Sequence, residues 1–400
     1  MRYFQAIFLQ ALAPLSLLLF SLFLTRQVGI GSQGAFASAK SWVDVLIVAG
    51  CFGFPQSTIL AINKDGASAK WIYKAAAIYA AVLVPLFALA SMVLQQNIAT
   101  HAAAAISIGF GAAAAVLANI WRAVLLTIDD GIRFHLITAL PTFSLIVSSS
   151  IGFFYGYGVD GYIAYFYGAT ALIILPAVYC LLPWEKVKQG DGKRPSLRRL
   201  VMNGSDVFVQ GLSGVLQAYI CLWYLGYTYD MNEVGYFSIT LLFINAFAFP
   251  LQAISPMILN RWSKRSERNP LRAGSKELNL LLLVMLGVLM CVSVVLAVFP
   301  LEKYIGATAK IIGQMSVAIF ILIPNISLRV DSLRMTAIGN LRFNSLVAMS
   351  KCVLFSVALV VMAHSTNSSE GAKIAMICWL LAEVVAAICY RIRVLKAQVD

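Results

Sequence analysis

The positions of lysine and arginine between long apolar stretches constrain this chain more than any other feature. Twelve stretches are apolar over enough length to cross a bilayer, which takes roughly 20 residues each. They cover residues 5–25, 37–61, 73–94, 102–126, 134–154, 161–182, 201–226, 234–257, 278–299, 307–328, 343–363 and 372–391. Threading the chain through them puts Arg2, Lys64, Lys70, Lys74, Arg122, Arg133, Lys186, Lys188, Lys193, Arg194, Arg198 and Arg199 on one side. Arg261, Lys264, Arg265, Arg268, Arg272, Lys276, Arg329, Arg334, Arg342, Lys351, Arg391, Arg393 and Lys396 join them, so that 25 of the 30 basic residues share a side. Only Arg26, Lys40, Lys303, Lys310 and Lys373 fall on the other. Basic loops stay on the cytoplasmic side, so both termini are expected in the cytoplasm. Arg122 and Lys351 lie within spans, but leaving them out barely changes the ratio.

The chain is 60% hydrophobic and 12% charged over 400 residues. Twelve spans use more than half of it, which leaves short loops and no room for a soluble catalytic domain. The net charge of +13 raises nucleic acid as a partner, but the excess sits in the cytoplasmic loops, where it retains topology and meets anionic headgroups. No nucleic-acid partner is expected. The seven cysteines (Cys51, Cys180, Cys221, Cys291, Cys352, Cys378 and Cys389) all lie in apolar stretches without a CxxC spacing. They read as small hydrophobes, with no disulfide or metal framework. The N-terminus lacks a basic cluster and a small-residue cleavage site, so it does not read as a cleaved signal.

Residues 183–200 (PWEKVKQGDGKRPSLRRL) form the longest polar break, near mid-chain. The expected organisation is a six-helix bundle over 1–182, a cytoplasmic linker over 183–200 and a second six-helix bundle over 201–400. A second basic loop spans 258–277. Both loops read as solvated topology anchors or as surfaces for a partner or lipid headgroups. A weak repeat relates the halves: Gly34-Ala35-Phe36-Ala37 matches Gly235-Tyr236-Phe237-Ser238, and Phe54-Pro55-Gln56 echoes Phe249-Pro250-Leu251-Gln252. The alternative is chance similarity between hydrophobic segments. Both copies enter from the same side, so the fold class is an all-α polytopic membrane protein of twelve transmembrane helices, its two bundles related by a pseudo-two-fold axis along the membrane normal. Pro14, Pro55, Pro85, Pro141, Pro176, Pro250, Pro256 and Pro324 lie inside spans. They bend helices in a way that neighbours in a bundle tolerate.

A charged group at mid-bilayer costs at least roughly 2.5–3.5 kcal/mol unless it faces a cavity or a partner. The candidates are Lys40, Asp44, Arg122, Asp206, Lys351 and Glu383, with Arg26 and the Arg329, Asp331, Arg334 group at span ends. Lys40 and Asp44 share a helix face; they read as a local pair or as a functional one. Arg122 either snorkels or faces a cavity. Asp206 either caps its span or takes part in ion coupling. Lys351 and Glu383 lie on consecutive antiparallel spans, each roughly 12 Å from the cytoplasmic face at 1.5 Å per residue. They are expected to form an ion pair that holds two helices together or couples transport to an ion. Tyr219 and Trp223 are candidates for stacking on sugars, or for packing. His101, His135 and His364 lie far apart outside any metal-binding pattern, and no Gly-rich phosphate loop precedes a GK[ST]. Neither a metal nor a cofactor is expected. With no large extracytoplasmic loop, the chain is expected to move something instead of transforming it.

The run TRQVGIGSQGAFASAKSWVD, followed by GCFGFPQSTILAINK into a basic loop, resembles the start of Wzx-type O-antigen flippases. Gly29, Gly34, Phe36, Gly53 and Pro55, in that order within one helical hairpin, carry the likeness. These flippases belong to the MATE/polysaccharide-exporter (MOP) superfamily, with the lipid II flippases and the MATE exporters. The resemblance implies a bacterial inner-membrane protein that flips an undecaprenyl-pyrophosphate-linked oligosaccharide, an O-antigen-type repeat unit, from the cytoplasmic to the periplasmic leaflet by alternating access. It implies a basic cavity between the halves, with H+ or Na+ as coupling ion and a glycan polymerase or chain-length protein as partners. Arg26, Lys40 and Arg122, with Tyr219 and Trp223, are the expected substrate contacts. Asp44, Asp206, Lys351 and Glu383 are the expected ion-coupling or structural charges. The alternatives are a MATE-like cation-coupled exporter of small organic molecules, which needs acidic groups in the cavity without a basic excess, and a membrane enzyme such as a repeat-unit polymerase.

The topology is directly testable. Reporter fusions are expected to report residues 183–200 and 258–277 as cytoplasmic and residues 227–233, 300–306 and 364–371 as periplasmic. A periplasmic 183–200 overturns the orientation and the two-half reading together.

Overall fold

With no water in the hydrocarbon core, each span must satisfy its own backbone, and a helix does so within one segment. The computed structural model describes residues 28–93, 102–128, 159–181, 197–264, 309–337, 340–365 and 370–399, with scattered residues in 14–26, 133–151, 194 and 283–290. Among these residues the chain is α-helical without a β-strand. The helices are α1 (Ile30–Cys51), α2 (Phe54–Asp65), α3 (Ala69–Val93), α4 (Ala102–Ile128) and α5 (Val159–Leu181). They continue as α6 (Leu197–Thr228), α7 (Met231–Lys264), α8 (Ala309–Ala337), α9 (Leu341–Ser365) and α10 (Gly371–Val399). Seven segments among the described residues are long and apolar enough to cross a membrane: Ile30–Asn63, Ala69–Val93, Ala102–Ile128, Gly204–Thr228, Lys310–Thr336, Leu341–Ser365 and Gly371–Val394. The expected spans over 5–25, 134–154 and 278–299 and the loops 183–200 and 258–277 lie wholly or largely outside the described residues.

The chain divides into two compact units. One is Met1–Leu17 with Ala39–Leu212; the other is Leu18–Ser38 with Ser213–Asp400. In the first, α4 is the buried centre, packed against α2, α3 and α5. Its small residues allow the approach: Ala112, Ala113, Ala114 and Ala118 are buried, and a Cβ on Gly111 would run into the Tyr167 carbonyl. In the second, α8 and α10 form the centre with α7 and α9 against them. On α9 the stripe Leu346, Met349, Val353, Val357, Val360 and Val361 is exposed, the face expected to meet acyl chains.

The start of the second span differs from its sequence reading. Hydropathy ends one span at 25 and opens the next at 37, because the intervening residues are only weakly apolar. Instead α1 begins at Ile30, and the reversal falls at Gly29, whose φ of 98° is open to glycine and few other residues. The small residues are there for packing. A Cβ on Gly34 would strike the Met231 carbonyl and the Gly235 amide, and one on Gly235 would strike the Ile30 carbonyl. The two glycines that head the sequence repeat thus face each other across a helix crossing in the second unit. Asp230 opens α7 by accepting the Glu233 amide at 2.8 Å, an N-cap contact. Phe52 (φ 42°) and Gly53 (φ 69°) break the second span, and Pro55 opens α2. A Cβ on Gly53 would collide with the Gly204 carbonyl, and Phe52 stacks on Phe208 at 4.7 Å.

Helix contact by backbone leaves no room for a methyl group. Gly34→Ala is expected to lower the melting temperature and the folded yield of the purified protein. Gly211→Ala, where a Cβ meets nothing within 4 Å, is expected to be neutral or to stabilise by up to about 1 kcal/mol through helix propensity. Thermal melts in detergent that show equal effects would remove the close-crossing explanation.

Candidate functional site

Carboxylates and their partners determine where charge sits in the described spans. In the first unit, Lys40 and Asp44 lie one turn apart on α1 and are ion-paired. Tyr167 donates to the other Asp44 oxygen at 3.2 Å, and the Lys40 ammonium stands 6.0 Å over the Phe166 ring. The second unit holds further pairs. Glu233 at the start of α7 is ion-paired with Lys310 of α8, and its second oxygen accepts the Ala372 amide of α10 at 2.9 Å. Three helices meet at that carboxylate. Asp331 accepts from Arg334 at 2.8 Å, with Arg391 at 3.9 Å.

The pair expected from depth is also present. Lys351 of α9 donates to Glu383 Oε1 of α10 at 2.9 Å. Glu383 is fully buried, so its charge survives only by strong compensation. Oε1 also accepts Trp379 Nε1 at 2.9 Å and Asn325 Nδ2 at 3.1 Å. Oε2 has no hydrogen-bond partner among the described residues. Asn325 in turn accepts Arg329 Nε at 2.8 Å on its side-chain oxygen. The hydrogen bonds form a chain Lys351–Glu383–Asn325–Arg329 within one unit.

Arg122, on α4 in the first unit, is half-buried, with its guanidinium 5.8 Å over the Phe134 ring. No carboxylate pairs with it among the described residues. Its neighbour Trp121 stacks on Tyr73 at 4.2 Å and donates to the Tyr73 carbonyl at 3.2 Å, which fixes that turn of helix. Arg26 is exposed, and Asp206 is half-buried near the start of its span. Tyr219 and Trp223 are half-buried on α6, and both take part in further contacts. Arg26, Tyr219 and Trp223 lie in the second unit; Lys40, Arg122 and Asp206 lie in the first. The structure brings Lys40 to Asp44 and Lys351 to Glu383.

Sequence reasoning passed over Asn325, Trp379 and the Glu233–Lys310 pair. Asn325 and Arg329 were legible as an i, i+4 pair; Glu233 and Lys310 lie at helix starts far apart in the chain, and no local spacing joins them. Outside the spans, Lys373 holds the exposed Glu370 carboxyl below its usual range, by a hydrogen bond first and by its charge second.

No protein-family model matches the chain, and no curated protein matches it. Solved structures do. A multidrug resistance MATE family transporter of the MOP superfamily, outward-facing, has a TM-score of 0.69 over 100% of this chain and 96% of its own, at 16% identity. An inward-facing structure of a transporter so described has a TM-score of 0.62 over 99% and 94%, at 18% identity. The MATE multidrug transporter DinF-BH has a TM-score of 0.68 over 99% and 94%, at 14% identity. The chain therefore has the MATE-type all-α fold over its whole length, and it is a polytopic membrane protein. The twelve-helix, two-bundle layout expected from the sequence is consistent with that fold.

The buried pair gives a stability test. Lys351→Ala leaves a fully buried carboxylate without its cation, and is expected to destabilise by about 3–5 kcal/mol. The double variant Lys351→Met, Glu383→Gln removes both charges while keeping an acceptor for Trp379 and Asn325, and is expected to recover most of that loss. Melting of the purified variants decides it: a double variant as unstable as the single one would show that the charge itself is not the cause.

Proposed function

We propose that the protein flips a polyprenyl-pyrophosphate-linked oligosaccharide, an O-antigen-type repeat unit, from the cytoplasmic to the periplasmic leaflet of a bacterial inner membrane, with both termini cytoplasmic. The observation that carries this reading is the imbalance of charge within the described spans. Asp44, Asp331 and Glu383 each have a cationic partner in their own unit. Asp206, near a span start, is the exception. Arg122 has no carboxylate partner among the described residues, and a half-buried guanidinium of this kind suits an oxyanion. An exporter of organic cations needs free carboxylates instead, and here they are largely neutralised. The fold is shared with multidrug transporters, so fold alone does not separate the two readings; the charge favours the first.

In this reading Arg122 binds the pyrophosphate, with Lys40 and Arg26 contributing charge and Tyr219 and Trp223 offering faces to sugars. The Lys351–Glu383 pair either holds helices or exchanges a coupling ion such as H+ or Na+. A glycan polymerase or chain-length protein would act on the product.

Deletion in the native host is expected to abolish surface polysaccharide while lipid-linked units accumulate on the cytoplasmic side. The parent chain restores export, and Arg122→Ala at equal protein level does not. The charge swap Lys351→Glu with Glu383→Lys restores export if that pair only holds helices. A deletion strain with normal polysaccharide and raised sensitivity to organic cations would replace this reading with the exporter one.

A further inference from the structure

The second unit carries a guanidinium whose setting fits an anion site distinct from Arg122. Arg329 is partly buried in the span Lys310–Thr336, seven residues before its end, or roughly 10 Å in at 1.5 Å per residue. Its Nε–H is committed to Asn325 Oδ1 at 2.8 Å. The amide of Asn325 cannot be turned over, because its nitrogen must donate to the Glu383 carboxylate at 3.1 Å and its oxygen must accept from a group that only donates. Glu383 is anchored in turn by Lys351 and Trp379, each at 2.9 Å. The guanidinium is thus aimed by a chain of four groups from three helices. Its two terminal amino groups make no hydrogen bond or ion pair with any described residue.

The charges in this cluster are Arg329, Lys351 and Glu383, two cations against one carboxylate. Lys351 compensates Glu383 by direct contact, and Asn325 stands between Glu383 and Arg329. Glu383 therefore acts on the guanidinium only through space and through Asn325, and the cluster keeps one net positive charge. Two parallel N–H donors on a planar, permanently charged fork match two oxygens of a phosphate group. Two residues farther along α8, Asp331 is shared by Arg334 of the same helix and Arg391 of α10 and lies closer to them than to Arg329, so it does not pair with the Arg329 guanidinium. An anion that reaches such a depth is most readily one attached to a lipid.

We propose that Arg329, oriented by Asn325, is a phosphate-oxyanion site inside the second unit, taking a phosphate monoester, diester or pyrophosphate. Asn325 is a positioning residue; Arg329 is the ligand. The site stands on this geometry, and only the identity of the physiological oxyanion as the carrier's pyrophosphate rests on the flippase reading.

The test is binding to the purified full-length chain in nanodiscs of zwitterionic lipid, followed by thermal shift and by native mass spectrometry. The probes are inorganic pyrophosphate, undecaprenyl phosphate and phosphatidylglycerol. The parent is expected to bind at least one and to be stabilised by it. Arg329→Gln is expected to weaken that binding by about tenfold or more, the scale of losing charged hydrogen bonds. Asn325→Leu keeps the charge and is expected to weaken it less. Arg393→Gln, at an exposed position, is expected to bind as the parent does. Should the glutamine variant fail to fold, Arg329→Lys, which keeps the charge and loses the fork, must still weaken binding. Binding of pyrophosphate and undecaprenyl phosphate alone assigns the site to the carrier headgroup, and binding of phosphatidylglycerol assigns it to a leaflet lipid. A parent that binds none of the three, or variants at Arg329 that bind as tightly as the parent, overturns the site. Arg329-dependent pyrophosphate binding in a chain that fails the export test strikes the flippase reading and leaves the site standing.

Discussion

The hydrocarbon core offers no water, so every buried carboxylate must find its donors within the protein. Glu383 shows the requirement at its strictest: fully buried, it gathers a lysine, an indole and an amide from three helices onto one oxygen. Breaking any of these contacts strands a charge in a low dielectric, where neither water nor headgroups can compensate it. The helices α8, α9 and α10 are therefore held by polar contacts as well as by packing. Glu233 does the same at the other end of α8, where it ties Lys310 and the Ala372 amide of α10 to the start of α7. The second unit is clamped at two depths by acidic side chains, each with more donors than one.

Apolar burial contributes less between membrane helices than in water, because lipid is as apolar as leucine. Close contact replaces it. The Gly34–Gly235 and Gly53–Gly204 approaches bring backbone against backbone, and the alanine-rich α4 lets α3 and α5 come near enough for dense packing. Large apolar side chains are free to face outward instead, as on α9. Close backbone contact also accounts for the weakly apolar stretch 30–40 being helical: Gly31 and Gly34 are small because α7 lies against them.

Much of this was legible in the sequence. The described spans and the Lys351–Glu383 contact follow from length, charge and depth, since two opposite charges at one depth on adjacent helices lose least by meeting. The Lys40–Asp44 pair follows from spacing alone. Other features were not legible. Hydropathy leaves most of GSQGAFA outside a span because it measures transfer to lipid, whereas those residues are transferred to protein. Asn325 and Trp379 look like ordinary span residues until a carboxylate is found to need their donors. Glu233 and Lys310 are joined by tertiary structure, and their separation of 77 positions hides the pair.

A fold shared with multidrug transporters leaves the substrate open, because the same helices can enclose either sign of charge. The deciding quantity is which charges remain after the internal pairs are removed. In the described spans the pairs Lys40–Asp44, Arg334–Asp331 and Lys351–Glu383 cancel. The partly buried cations without a carboxylate contact among the described residues are then Arg122 in one unit and Arg329 in the other, with Asp206 near a span start. Partly buried guanidinium groups cannot discard their protons to relieve the cost, as a lysine or a carboxylic acid can. On the proposed reading, an oxyanion carried on a lipid would relieve that cost.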